Sequence, residues 1–117
     1  MAEKRPQQEK EPRQFVDLRF SYDRGVVLHD ISRERDRQER LREAGKFPAT
    51  CADPTRSDAE KLPVLIEEVG EAARAMCEAG GATDVQSAGL RDELVQVAAV
   101  AVAWIEAIDA RKVVPRG

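Results

Sequence analysis

Apolar positions recur with a helical period over two stretches of this chain, and a strand-like alternation of useful length is absent. In the first stretch Leu62, Leu65, Ile66, Val69, Ala73 and Met76 form one stripe. That pattern predicts an amphipathic helix running to about residue 78. In the second, residues 90–110, Leu94, Val95, Ala98, Ala101, Val102 and Ile105 face one way, while Val97, Val100, Trp104 and Ala107 face the other. A helix apolar on both sides is expected to be enclosed. A third segment, residues 30–43, lacks glycine and proline and interleaves acids with arginines, which predicts a polar helix ending near Gly45.

The connections follow from local chemistry. Two prolines and several turn formers mark the stretch after Gly45, up to Arg56, as a loop. Ser57 and Glu60 have capping-box spacing. Pro63 competes with that start, because a proline past the first turn costs a backbone hydrogen bond; the alternative start is near Leu62. Gly80 and Gly81 are expected to end this helix, with Ser87 as a candidate cap for the next. The predicted fold class is therefore all-α, a helical bundle. Three helices cannot easily enclose one that is apolar all round, so another subunit is expected to complete the bundle as a homodimer or homotetramer.

Residues 1–14 are polar and contain Pro6 and Pro12, which predicts a disordered arm. Phe15, Phe20 and Tyr22 cluster just after it, in a stretch expected to pack on the domain or on a partner subunit. Residues 15–112 form a single domain, and 113–117 are a tail without assigned function. With 117 residues the chain has room for one modest core. Its formal net charge of −3 argues against a nucleic-acid footprint. Cys51 and Cys77 have no metal-binding or disulfide pattern, and the lone His29 reads as structural. The N-terminus has no apolar run of the secretory kind, so a cytoplasmic protein is expected. The apolar run between Glu93 and Glu106 falls well short of the roughly 20 residues that span a bilayer.

On the second predicted helix, at about 100° per residue, Glu71 lies about 40° and Glu68 about 100° from Glu67. Three carboxylates thus share a sector opposite the apolar stripe. A solvated acidic face explains this arrangement, and so does a cation site; Val64 and Ala75 inside the sector favour close approach by something other than water. Glu93 tops a mainly apolar stripe on the last helix. An enclosed carboxylate there must be protonated, paired, helped by the helix N-terminus or bound to a metal. Mg²⁺ suits such oxygen donors and bridges phosphates, with Mn²⁺ as the alternative ion. Gln96, one turn on, reads either as a core amide or as a neutral ligand.

The segments KLPVLIEEVGEAARAM and LRDELVQVAAVAVAWIEAI resemble the MazG-like all-α nucleoside triphosphate pyrophosphohydrolases over about residues 57–110. The hallmark of that family is ExxE on one helix and ExxD on the next. Glu68 and Glu71 match the first half and Glu93 opens the second, but Gln96 stands where the family has aspartate. The resemblance implies hydrolysis of a nucleoside triphosphate to monophosphate and pyrophosphate, as in nucleotide-pool house-cleaning. Mg²⁺ would be held by Glu68, Glu71, Glu93 and Gln96, and Glu67 would orient or deprotonate the attacking water. The segment from Glu34 to Gln38 is similar to the polar first helix of phage-type relatives, which makes Arg35, Arg37 and Gln38 candidates for phosphate or base contacts. Lys61 is a further candidate for a phosphate. Two rivals stand beside this reading: a lapsed relative that binds nucleotide or a protein partner without turnover, and a purely structural bundle.

Overall fold

The computed structural model describes residues 18–78 and 87–113. The arm at 1–14, the glycine pair at 80 and 81 with most of the loop after it, and residues 114–117 of the tail lie outside the described residues. Within them the chain forms three helices and no strand: α1, Leu18–Glu43; α2, Asp58–Glu78; and α3, Ser87–Val113. None is long and apolar enough to cross a membrane.

Helix α3 is the central element, packed on α2 and on α1. Asp58, at the start of α2, accepts hydrogen bonds from Trp104 Nε1 at 2.7 Å and Arg111 Nη2 at 2.9 Å, late in α3. Glu68, midway along α2, lies within electrostatic reach of Glu93 near the other end of α3. The two helices therefore run antiparallel. Small residues make their approach close: Ala99, Ala103 and Ala107 are fully buried at four-residue spacing, with Val100 beside them and Ala72 on α2.

Both ends of the first connection are capped. Lys46 N donates to Leu41 O and Gly45 N to Arg42 O, each at 2.9 Å, which is the Schellman pairing. Gly45 adopts φ = 76°, in the left-handed region that costs a residue with a Cβ about 1–2 kcal/mol. At the far end Glu60 N donates to Ser57 Oγ at 3.2 Å, and Ser57 Oγ donates to Glu60 Oε1 at 3.3 Å. Helix α2 therefore starts at Asp58, and Pro63 lies inside it. The cap and the Asp58 contacts outweigh the one backbone bond the proline forgoes.

Two expectations are corrected, and a third is met in part within this chain. Helix α1 begins at Leu18 rather than near residue 30, and its Tyr22, Val26, Val27 and Leu28 are exposed in the single chain, so of the two packing partners expected for this stretch the domain itself is not the one. The apolar stripe of α2 does not form the core within this chain: Leu62, Ile66, Val69 and Met76 are exposed, Ile66 by 60%. The side of α2 that meets the rest of the chain carries Lys61, Glu68, Ala72 and Ala75, about 100° round the helix. Helix α3 is likewise enclosed on one side only, since Leu94, Val102, Ile105 and Ile108 lie open on the other. Flat, small-residue surfaces let these helices pack closely, and the larger apolar side chains are left facing outward.

Candidate functional site

Helix α1, the loop at residues 44–57, and the inner faces of α2 and α3 line a cavity of about 370 Å³ that is open to solvent on one side. That volume lies within the roughly 300–1,000 Å³ of small-molecule sites. Glu34, Arg37, Gln38 and Leu41 come from α1, and Phe47, Pro48, Thr50, Cys51 and Arg56 from the loop. Lys61, Val64 and Glu68 come from α2, and Gln96 and Val100 from α3. A second depression, more polar, is bounded by Asp30, Arg33, Arg91 and Asp92. Glu34, Arg37 and Gln96 border both hollows and form the partition between them.

The loop is anchored to its surroundings. Buried Thr50 donates through its hydroxyl to Glu39 Oε1 at 2.8 Å and accepts from Ala52 N at 3.2 Å. Lys61 is 2% exposed, and its Nζ donates to Asp53 O at 2.7 Å. That bond leaves two ammonium N–H groups on a residue bordering the cavity. Arg111 Nε and Nη2 donate to the carbonyls of Pro54 and Arg56 at 3.2 and 3.1 Å, so the end of α3 fastens the loop from the far side. Asp53 accepts from the backbone and hydroxyl of Thr55, which holds its carboxyl below the usual range. Burial pushes the Cys51 thiol up, keeping it protonated on the cavity wall.

Five of the residues singled out from sequence border this one cavity: Arg37, Gln38, Lys61, Glu68 and Gln96. The other four are placed differently. Glu67 and Glu71 are exposed on α2, and Glu93 is half-buried on α3. Arg35 is 8% exposed, away from the cavity lining, with its guanidinium engaged by Glu106. Glu68 is nonetheless the electrostatic centre of the acids. Its proton affinity is raised first by burial, then by the charges of Glu93, Glu67, Glu71 and Glu34. In the observed side-chain arrangement no three acidic, histidine or cysteine groups among the described residues converge closely enough to hold a metal ion.

Sequence reasoning passed over Glu34, Thr50, Phe47 and Glu106. Glu34 has a side chain only 14% exposed and is gripped by Arg37, whose Nε and Nη2 donate to its two oxygens at 2.8 Å each. Its three-residue spacing from Arg37 looked like an ordinary surface pair. The loop residues carried no periodic signal. Glu106 lies on the side of α3 that reaches α1, where its carboxylate meets Arg35. No family model matches the chain, and neither a curated protein nor a solved structure is significantly similar to it.

Proposed function

We propose that this chain is a cytoplasmic nucleoside triphosphate pyrophosphohydrolase of the MazG-like kind. The observation that carries the reading is the cavity itself. Arg37, Gln38, Lys61 and Glu68 all border it, although they come from two different helices. Its cationic groups suit phosphate oxygens, and the apolar surface of Leu41, Phe47, Val64 and Val100 suits a base.

In this reading Glu68, Glu71, Glu93 and Gln96 supply oxygen donors to Mg²⁺, or to Mn²⁺. The test of fit is Glu68: burial first, and then four neighbouring carboxylates, disfavour its charged form, and a cation relieves that penalty. Side-chain rotation on α2 and α3 would be needed to bring the donors together. When bound, the ion neutralises phosphate charge and lowers the cost of cleaving the anhydride. Glu67 holds and deprotonates the water that attacks the triphosphate. Lys61 and Arg37 bind phosphate oxygens. The products are a nucleoside monophosphate and pyrophosphate.

Further copies of the chain complete the fold. Leu62, Ile66, Val69 and Met76 of α2 and Leu94, Val102, Ile105 and Ile108 of α3 lie open in a single chain, and a homodimer or a homotetramer covers them.

The deciding experiment measures pyrophosphate released from a panel of natural and modified nucleoside triphosphates, with and without Mg²⁺. Metal-dependent turnover, abolished in Glu68→Gln or Glu71→Gln with helicity retained, is the expected outcome. No turnover of any nucleotide overturns hydrolysis. A second reading, binding without turnover by a lapsed relative, is favoured by Gln96 in place of the family's aspartate. It predicts that nucleotide raises the melting midpoint while no pyrophosphate appears.

A further inference from the structure

Arg35 is almost completely buried, and its hydrogen bonds run in a chain from one helix to the next. Its Nε donates to Glu106 Oε2 on α3 at 2.8 Å, and its Nη2 pairs with the same oxygen at 2.6 Å. Its Nη1 donates to Oε1 of Gln38, one turn along α1, at 3.0 Å. A guanidinium has donors only, so the amide atom facing it must be the oxygen. The Gln38 amide is thereby oriented, with its NH₂ directed away from Arg35. Gln38 borders the cavity and Arg35 does not. What Gln38 offers a ligand is a pair of N–H donors.

We propose that Gln38 reads a hydrogen-bond acceptor, a carbonyl oxygen or ring nitrogen, on the base of the bound nucleotide. Arg35 and Glu106 are positioning residues that fix which end of the amide meets it. The inference rests on the nucleotide reading and adds the chemistry of recognition. Leu41, from the turn after Gln38, and Phe47 and Val64 form apolar wall in the same cavity. A flat ring seated there has its polar edge available to the amide. An amide edge that offers only donors leaves them unpaired against a ligand without an acceptor, and unpaired donors make such discrimination steep.

The test compares binding of uridine, cytidine, adenosine and guanosine triphosphates with that of inorganic tripolyphosphate, which has the phosphates and no base. Calorimetry on the full chain in Mg²⁺ buffer gives the ratio of affinities. Gln38→Met keeps the side-chain length and adds no charge; it is expected to lower the nucleotide-to-tripolyphosphate ratio about tenfold or more. Gln38→Glu, which presents acceptors instead, should lower it further. Glu106→Ala frees Arg35 and should lower the ratio by a smaller factor, whereas a purely structural pair would shift only the melting midpoint. Binding of nucleotides with a ratio unmoved by Gln38→Met overturns the role of Gln38. Failure of the unaltered chain to bind either nucleotide or tripolyphosphate overturns the nucleotide reading itself, and the two failures are distinct.

Discussion

Asp58 does several jobs with one carboxylate. It sits in the first turn of α2, where negative charge is favoured, and it accepts from both Trp104 and Arg111 of α3. The bonds from Arg111, then from Trp104, hold its carboxyl below the ordinary value of 3.8. A depressed carboxylate contributes stability that is present above the unfolded value and lost as pH falls through the folded one. Trp104 is the only tryptophan, so its emission reports this contact directly. Acidification below about pH 4 should shift that emission in the unaltered chain. In Asp58→Ala the emission at neutral pH should already be shifted, with no acid step; equal titrations in both proteins would refute the link. Glu68 has the opposite sign. Its folded value is raised above the ordinary 4.5, so its favourable contribution is complete below the unfolded value and disappears as pH rises through the folded one. At neutral pH its charge is a net penalty without a cation. Glu68→Gln should therefore melt higher than the unaltered chain at pH 7 in a chelator, with the advantage shrinking toward pH 4. A lower midpoint at pH 7 would contradict this account.

The two best-patterned helices illustrate how an element can be predicted and its packing face missed. On α2 the residues that face the chain are Lys61, Glu68, Ala72 and Ala75, while the apolar stripe is turned about 100° away. The reason lies in α3, whose Ala99, Ala103 and Ala107 make a row without protruding side chains. Against such a row a neighbouring helix packs by backbone proximity, with alanine on both sides. Ala103 has no exposed surface, and enlarging it has nowhere to go. Ala103→Leu should destabilise the fold by about 1–3 kcal/mol, the usual cost of overpacking, measured by denaturant unfolding. A neutral effect would mean that α3 stands further from its partners than described. The N-terminal part of α1, with Tyr22, Val26, Val27 and Leu28 exposed, shows the same division between helix formation and burial.

At the scale of the whole molecule, the apolar surface left open on α2 and α3 supports the proposed assembly of copies. Ile66, at 60% exposed, contacts little within its own chain. Ile66→Lys should change monomer stability by no more than about 0.5 kcal/mol, as surface substitutions do, while dissociating the oligomer. Sedimentation equilibrium at micromolar protein is the measurement, and a monomeric mass for the unaltered chain would remove the proposal. Much of the architecture was legible in the residues. Gly45 and the Ser57–Glu60 box mark the ends of the loop because capping needs particular atoms at particular offsets. The acids of α2 and α3 stand out because charge in an apolar pattern demands a partner. Periodicity records that a helix has a greasy side, however, and does not say what covers it. The sequence alone determined the all-helical class and the caps at the two ends of the first loop, since each depends on neighbours a few residues apart. Only the tertiary structure decided which faces meet, that Arg35 is buried against Glu106 and turns the Gln38 amide, and that Lys61 borders a cavity. Each of those contacts joins residues whose separation in the chain leaves no local trace.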